Sequence, residues 1–257
     1  MGKIILTVAP FTNIFYKNNI CLYEMDIDVS YSLVKRFYEM GASIVYLPIL
    51  FDNLYSNNYI LSYYEKLVYK IRSNTNMLVH LTLMTNNKMS TEDQNKIFDL
   101  KPDIVSILPG SINIANNVLV NTTDQIEYLA YIAMSNGIKT CIEVFDTTMV
   151  YYSQQMKKKR LLLSNIYYNL VVGTNGISSE EFKGISHDFL NLLDSIPCDS
   201  SWSVSCLGKY QKYMEVFGIL CGGHLRTNRI KYAAKIANSF GREVATPDET
   251  KVILNCG

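Results

Sequence analysis

The stretch GASIVYLPILFDN, residues 41–53, predicts the fold and raises the question of function. Its apolar run, residues 43–48, follows a glycine and lacks the polar alternation of a half-buried strand. Such a run is typical of a strand buried on both faces of a parallel sheet. If the strand belongs to an enzyme barrel, its end should carry catalytic side chains. It presents Tyr46, Leu47 and Pro48 instead.

Seven further runs of this kind recur along the chain, with helical patterns between them. The predicted strands are KIILTVA (3–9), SIVYLP (43–48), MLVHLT (77–82), IVSIL (104–108), TCIEVF (140–145), YYNLVV (167–172), WSVSC (202–206) and HLRT (224–227). Eight alternations of strand and helix predict a single α/β domain over residues 1–257, a (β/α)8 TIM barrel. The alternative is an open doubly wound sheet, but the first turn, APFTN, lacks the G-x-G-x-x-G of dinucleotide-binding folds.

Capping residues set the predicted ends of the helices. Asp28 is expected to cap the helix VSYSLVKRFYEM, and Ser90 with Asp93 resembles a capping box. Asp124 is expected in the first turn of DQIEYLAYIAMSN. Pro247 takes a first-turn position in TPDETKVIL, which is predicted as an added helix after the eighth strand.

Composition and charge exclude several classes of protein. The chain has 24 Lys and Arg against 23 acidic residues, a net charge of +1 that provides no field for nucleic acid or an anionic membrane. No apolar run reaches the roughly 18 residues that span a bilayer, and the N-terminal run lacks a signal-peptide cleavage site. The six cysteines form no C-x-x-C pair, so free thiols and a cytoplasmic protein are expected.

Candidate functional residues lie where the predicted strands end, because barrel enzymes carry their active sites at that face. They are Thr12, Asn13, Asp52, His80, Thr82, Thr85, Asn86, Ser106, Ser111, Glu143, Asp146, Asn175, Ser205, Lys209, His224 and Arg226. The set is polar but poor in ionisable pairs. His80, Glu143 and His224 are the only trio that could be brought together on a metal, and for each histidine a hydrogen-bonded core position is the favoured alternative.

The C-terminal stretch WSVSCLGKYQKYMEVFGILCGGHLRTN, followed by AAKIANSFGREVATPDETKVIL, resembles the β-keto acid cleavage enzymes, the family of 3-keto-5-aminohexanoate cleavage enzyme. The segments ILTVAPFTN, GASIVYLP, PDIVSILPGSIN and IEVFDTTMV occur in the family's order and spacing. The resemblance implies a (β/α)8 barrel, usually tetrameric, that uses zinc and acetyl-CoA. Such enzymes condense a β-keto acid with the acetyl thioester and release acetoacetate and a new acyl-CoA. The metal polarises the keto group.

The same resemblance implies that the zinc site is lost. The family's second strand ends in H-x-H, whose histidines bind zinc, and those positions are Tyr46 and Pro48 here. The family's G-L-E-D segment, whose glutamate completes the site, is absent because GGHLRT runs almost directly into NRIKYAAKIA. Proline has no side-chain donor, and a neutral phenol is a poor zinc ligand. We therefore expect no tightly bound cofactor, with acetyl-CoA as a candidate co-substrate.

Several family site positions are retained or conservatively changed. The resemblance assigns catalytic roles to Arg226, Glu143, Thr82 and Ser106, and Ile14 stands where the family has a glutamate. The residues taken as substrate-binding are Asn13, Thr85, Asn86, Ser111 and His224. For Arg226 a rim salt bridge competes with substrate contact, and Glu143 is expected to partner either His224 or Arg226. Gly222 and Gly223 are expected to serve a tight turn and a close helix approach.

Three functions remain open at this stage. The first is a zinc-free enzyme that transfers an acyl group or cleaves a C–C bond of a β-keto acid. Alternatively, the chain is an inactive barrel that binds a small carboxylate or CoA-like ligand, or that partners an active paralogue in a mixed oligomer. The third alternative is new chemistry on Arg226, Glu143 and His224. A homo-oligomer, by resemblance a tetramer, is expected, because aromatic residues are enriched at interfaces.

Overall fold

The computed structural model describes residues 2–11, 26–49, 55–83, 91–114, 117–163, 165–173 and 181–256. Within them, eight parallel strands close into a barrel. In chain order these strands are β1 (Leu6–Val8), β2 (Ile44–Ile49), β3 (Leu78–Leu83), β4 (Ile104–Ile107), β7 (Lys139–Val144), β8 (Tyr167–Val172), β9 (Ser201–Cys206) and β10 (His224–Arg226). The order around the barrel is β1-β10-β9-β8-β7-β4-β3-β2. The predicted TIM barrel is confirmed.

Helices lie between the strands on the outside of the barrel. They are α1 (Ile27–Glu39), α2 (Asn57–Asn74), α3 (Thr91–Asp99), α4 (Thr123–Ser135), α5 (Thr147–Lys158), α6 (Phe182–Ser195), α7 (Gln211–Leu220), α8 (Ile230–Ser239) and α9 (Pro247–Leu254). An antiparallel hairpin that the sequence did not predict, β5 (Ile112–Ile114) with β6 (Asn117–Leu119), follows β4. In the part of the chain described, no helix is long and apolar enough to cross a membrane.

The interior of the barrel is built in layers. Its lowest layer is apolar, and α9 covers it by packing Leu254 and the preceding Ala245 against the starts of the strands. This layer comprises Ile5, Ile44, Leu78, Ile104, Cys141 and Tyr167. Because side chains alternate along a strand, the residue two positions further on faces the same interior. Those residues are Thr7, Tyr46, His80, Ser106, Glu143 and Asn169. An apolar floor therefore supports a polar second layer nearer the C-terminal ends.

The ends of two elements differ from the sequence prediction. The first strand begins at Leu6 rather than at residue 3, because Ile4 pairs with Val244 of the C-terminal segment. Helix α1 is capped by Asp26, whose carboxylate accepts from the backbone N of Asp28 at 2.7 Å and of Val29 at 3.2 Å. The prediction that Asp28 is the cap is wrong, since it lies in the first turn.

Other predicted helix ends hold. Asp124 lies in the first turn of α4, whose cap is Thr122 in a full capping box with Gln125. Pro247 begins α9, and Thr246 with Glu249 forms its capping box. Ser90 of the other predicted capping box lies outside the described residues. The two confirmed turns show that local capping chemistry sets these boundaries.

The glycine pair before β10 has two separate roles. Gly222 has a φ of +88°, a conformation that favours glycine, so it forms the predicted turn. A Cβ on Gly223 would lie 2.1 Å from the ring of Trp202, so no larger residue fits. The close approach is therefore to the side chain of a strand residue at the start of β9, and not to a helix.

Candidate active site

A buried ion pair crosses the upper part of the barrel interior. Nη1 of Arg226, at the end of β10, lies 2.9 Å from Oε1 of Glu143, near the end of β7. Their side chains are 8% and 12% exposed. Strands β9 and β8 lie between β10 and β7 in the barrel order, so the arginine side chain reaches across their inner faces. Of the two sequence-based alternatives for Glu143, the structure selects Arg226 over His224.

Glu143 is the acceptor for a second group on the neighbouring wall. The hydroxyl of Ser106 donates to its Oε1 at 2.6 Å, and the Nε2 atom of His80 lies 2.7 Å from the same hydroxyl. Because the Ser106 proton is directed to the carboxylate, the hydroxyl oxygen must accept from His80. His80 is therefore the tautomer with its proton on Nε2. The chain of hydrogen bonds from His80 to Ser106 and from Ser106 to Glu143 holds the carboxylate in place.

The charge state of His80 agrees with this assignment. Burial, reinforced by the positive charge of Arg226, holds the pKa of His80 well below its usual value. The ring is neutral at neutral pH and can donate from only one nitrogen. Its Nδ1 atom is buried without a hydrogen-bond partner among the described residues. His80 therefore acts as a neutral donor to Ser106.

Tyr46 lies against the same arginine. The Cζ atom of Arg226 is 4.0 Å from the centroid of the Tyr46 ring, a cation–π contact. The ring also meets His80 edge-on, with centroids 5.2 Å apart and planes at 87°. Two residues further along β2, the carbonyl of Pro48 accepts from the Tyr64 hydroxyl. The end of β2 thus packs against the arginine instead of offering imidazole donors.

Arg226 retains hydrogen-bonding capacity beyond its ion pair. Its Nε and Nη2 atoms are buried and have no oxygen acceptor within the described residues. Burial alone would lower the pKa of the guanidinium. The Glu143 carboxylate and other neighbouring groups together outweigh burial, so the pKa of Arg226 is raised. The hydroxyl of Thr82 is also buried without a partner in this part of the chain. A permanent cation therefore has an edge with no protein oxygen acceptor among the described residues, beside the thiol of Cys141.

The wall formed by β8 and β9, between the strands of Arg226 and Glu143, also carries polar groups. The sequence analysis identified only one of them, Ser205. Asn169 of β8 accepts at Oδ1 from Ser203 at 3.0 Å and from Ser205 at 2.9 Å, both on β9. The hydroxyl of Tyr167 donates to Ser203 at 3.0 Å. The signal that could have found Asn169 is an amide in the middle of the apolar strand YYNLVV, which has no place in a purely apolar wall.

His224 is engaged with the backbone at the lower end of β10. Its Nδ1 atom accepts from the backbone N of Ile5 at 3.0 Å. Burial, with a further contribution from Arg242, lowers the pKa of His224 to about 3. The ring is therefore a neutral, hydrogen-bonded core histidine. This is the alternative that the sequence analysis favoured over a metal ligand.

Three other predicted residues lie at the edge of the barrel. Ser111 accepts from the backbone N of Asn121 at 3.0 Å, and with Asp146 it lines a polar groove of about 470 Å³. Asp146 caps α5 by accepting from the backbone N of Met149 at 2.9 Å. Lys209 lies 5.0 Å from the ring of Tyr210. Within the described residues, none of these three side chains contacts the Arg226–Glu143 ion pair.

Seven sequence-predicted positions cannot be placed against this geometry. They are Thr12, Asn13, Ile14, Asp52, Thr85, Asn86 and Asn175, which lie outside the described residues. Their assignments remain predictions.

The described residues do not fit a zinc ion at the end of β2. A catalytic zinc site needs about three protein donors. Pro48 has none, the ring of Tyr46 is packed against Arg226, and Nε2 of His80 is occupied by Ser106. Across the described ranges, no group of three or more His, Cys, Asp or Glu side chains is placed to hold a metal. We therefore derive no chemical step through a metal.

The fold and site define a TIM barrel with a buried Arg–Glu pair below its C-terminal face. The sequence profile of the beta-keto acid cleavage enzyme family matches residues 31–256, and the chain belongs to this family. It is 31% identical over 188 residues to 3-keto-5-aminohexanoate cleavage enzyme from Acetoanaerobium sticklandii, covering 65% of this chain and 66% of that protein. The chain thus spans just under two thirds of that relative.

Two further comparisons extend this result. The chain is 22% identical over 180 residues to 3-oxoadipate:acetyl-CoA acetyltransferase from Cupriavidus necator, covering 63% of each chain. The solved binary complex of ObcA with oxaloacetate superposes with a TM-score of 0.68 at 11% identity, covering 91% of this chain and 67% of that one. At that identity, the structural likeness concerns the fold alone.

Proposed function

We propose that this protein binds a β-keto acid in the mouth of the barrel and exchanges its acyl part with acetyl-CoA. Family membership supports the substrate class, and the relative from Cupriavidus necator, named as an acetyl-CoA acetyltransferase, supports the co-substrate. The observation that carries the proposal is the Arg226 guanidinium. It is buried and held on one side by Glu143, and its Nε and Nη2 have no oxygen acceptor among the described residues, with the Cys141 thiol beside the guanidinium.

A carboxylate is the ligand that this free edge suits. Nε and Nη2 form a planar pair of donors that matches the two oxygens of a carboxylate. The ion pair with Glu143 uses only Nη1, so substrate binding need not break it. Because both donors are buried, an anion bound there gains a charge-assisted interaction with little competition from water.

The reaction can be written on the chain's own residues. Glu143 takes a proton from the methylene between the two carbonyl groups, and the resulting carbanion attacks the thioester carbonyl of acetyl-CoA, releasing the CoA thiolate. The thiolate adds to the original keto carbon, and the bond from that carbon to the methylene carbon breaks. The departing carbanion recovers the proton from Glu143. The products are acetoacetate and a new acyl-CoA, so atoms and charge balance.

Two hydrogen bonds support Glu143 in this role. Its Oε1 accepts from Ser106 and Arg226, while Oε2 makes no hydrogen bond within the described residues. A carboxylate with one oxygen anchored and one available is a suitable proton acceptor. Ser106 and, behind it, His80 orient the carboxylate.

We also propose that the reaction proceeds without zinc at the end of β2. The positions that carry zinc-binding histidines by family resemblance are Tyr46 and Pro48, and Arg226 is a permanent positive charge beside the proposed substrate carbonyls. Elemental analysis after dialysis against a chelator tests this. Close to one zinc per chain, retained and needed for turnover, would overturn it. Zinc uptake by the double variant Tyr46→His/Pro48→His would show that the two positions alone limit binding.

The central experiment uses acetyl-CoA labelled with ¹³C in the acetyl group and a series of straight-chain 3-oxo acids. Mass spectrometry should detect labelled acetoacetate together with the acyl-CoA of the chosen acid. Arg226→Ala should abolish both products. Lys157→Ala, which removes an ion pair with Asp199 on the outside of the barrel, serves as the control. Absence of product with every acid in wild-type protein would overturn the catalytic proposal.

A second candidate function is favoured by the end of β2. Because Tyr46 and Pro48 replace donor positions there, the barrel can also be a binding protein for a small carboxylate, or the inactive partner of an active paralogue. Tight binding of acetoacetate without turnover supports this candidate. Light scattering of the protein alone and mixed with such a paralogue separates the proposed homo-oligomer from a mixed assembly.

A further inference from the structure

Two serine hydroxyls on the neighbouring strand fix the orientation of the Asn169 side chain. Its side chain is fully buried, and its Oδ1 accepts from the hydroxyls of Ser203 and Ser205. Ser203 in turn accepts from the Tyr167 hydroxyl, so its own proton is free to point to Asn169. Two converging donors identify the oxygen end of the amide. The Nδ2 end must therefore face away from β9.

The Nδ2 group has no hydrogen-bond partner among the described residues. A buried donor left without an acceptor costs roughly 1–3 kcal/mol, and most buried polar groups in proteins have partners. The serine pair could bind a smaller acceptor group just as well. An amide whose donor end is buried and unsatisfied points to an acceptor supplied by a bound ligand.

The position of Asn169 indicates the kind of ligand that could supply this acceptor. It is the register partner of Glu143 on the adjacent strand, and the Arg226 side chain reaches Glu143 across the inner faces of β9 and β8. Nε and Nη2 of Arg226 and Nδ2 of Asn169 are three donors there without an oxygen acceptor among the described residues, and Nδ1 of His80 on β3 is an acceptor without a donor. Such a wall suits a ligand that carries several acceptor oxygens.

We propose that Asn169 is a substrate-binding residue whose Nδ2 donates to the keto oxygen of the β-keto acid. This inference rests on the proposed function, in which Arg226 holds the carboxylate of the same molecule. When the methylene loses its proton, negative charge develops on that keto oxygen, and a fixed amide donor stabilises it as an oxyanion hole does. Ser203 and Ser205 are positioning residues, because their hydrogen bonds to Oδ1 prevent the side-chain amide from flipping.

The test compares acetoacetate with butyrate, which has the same carbon chain and carboxylate but no keto oxygen. Isothermal titration calorimetry of the wild-type chain should show acetoacetate binding about 2- to 10-fold more tightly, as expected for one hydrogen bond. In Asn169→Ala this preference should disappear, while butyrate affinity stays within about twofold. Ser205→Ala should reduce the preference in part. Ser153→Ala, a buried serine on α5 that bonds Tyr168, is the control and should retain it.

The outcomes separate the two proposals. An Asn169→Ala protein that is folded and still prefers acetoacetate overturns the role of Asn169 and leaves the proposed function intact. Wild-type protein that binds neither acid overturns both. If the variant does not fold, the side-chain amide signals of Asn169 in ¹⁵N-labelled wild-type protein decide the question. They should shift with acetoacetate and not with butyrate, and an absent or equal shift contradicts the assignment.

Discussion

The guanidinium of Arg226 lies 4.0 Å from the centre of the Tyr46 ring and 2.9 Å from the carboxylate of Glu143. The aromatic face and the carboxylate together determine the plane in which the guanidinium lies. Two of its nitrogens have no oxygen acceptor among the described residues. This arrangement places a permanent positive charge in the interior of the barrel, beside Glu143.

Replacing Arg226 with lysine should weaken acetoacetate binding at least about tenfold, because a single ammonium cannot replace a planar donor pair. The charge is kept, so the folded protein should survive. Arg226→Met should also lower the free energy of unfolding, by about 3–5 kcal/mol, since it leaves Glu143 buried and unpaired. Calorimetric titration and urea unfolding measure the two effects. Unchanged binding in the lysine variant would contradict the role in carboxylate recognition.

Acid should destabilise the protein through His224. Its folded-state pKa of about 3 lies below the usual value of 6.5, so the unfolded chain binds a proton that the folded chain excludes. Stability is therefore full above pH 6.5 and falls as the pH drops toward 3, by roughly 1 kcal/mol per pH unit from this residue. Urea unfolding at pH 7, 6 and 5 measures the slope.

His224→Gln should reduce that slope, because the titrating ring is removed. His187→Gln, on the exposed face of α6, is the matched control. Equal slopes in wild type and His224→Gln would show that His224 does not titrate as described. His80 should contribute to the wild-type slope in the same direction, since burial also lowers its pKa.

The adjacent glycines Gly222 and Gly223 provide a comparison of steric and conformational effects. A Cβ on Gly223 would lie 2.1 Å from the Trp202 ring, whereas a Cβ on Gly222 would meet nothing within 4 Å. Gly222→Ala should cost about 1 kcal/mol through its positive φ. Gly223→Ala should cost about 3 kcal/mol, the upper end of the usual cost of overpacking. Fluorescence of Trp202, the single tryptophan, reports unfolding. Similar costs would mean that the indole moves aside easily.

The N-terminus of α1 tests the corrected cap. Asp26→Ala should lower the free energy of unfolding by about 1 kcal/mol, because two backbone N–H groups lose their acceptor. Asp28→Ala removes only an exposed ion pair with Lys70 and should change it by less than about 0.5 kcal/mol. Thermal melts of both variants give the comparison. A larger effect at Asp28 would restore the cap that the sequence predicted.

Much of the fold was accessible from the sequence because its signals are local. Runs such as SIVYLP and YYNLVV indicate strands buried on both faces, and Pro247 and Asp124 mark helix starts through nearby backbone groups. The cap of α1 was misassigned to Asp28 because aspartate at either position suits a cap, and only the backbone conformation shows that Asp26 is the cap. The β5–β6 hairpin was missed because its strands are three residues each, too short for a periodic pattern.

The sequence by itself determined the barrel, the family and the residues Arg226, Glu143 and Ser106, because strand periodicity and motif order are written along the chain. Only the tertiary structure decided that Glu143 pairs with Arg226, that His224 bonds the backbone N of Ile5, and that Asn169 faces the same interior. These contacts join residues up to 219 positions apart. Closure and register of the barrel set such distances, and one-dimensional spacing does not encode them.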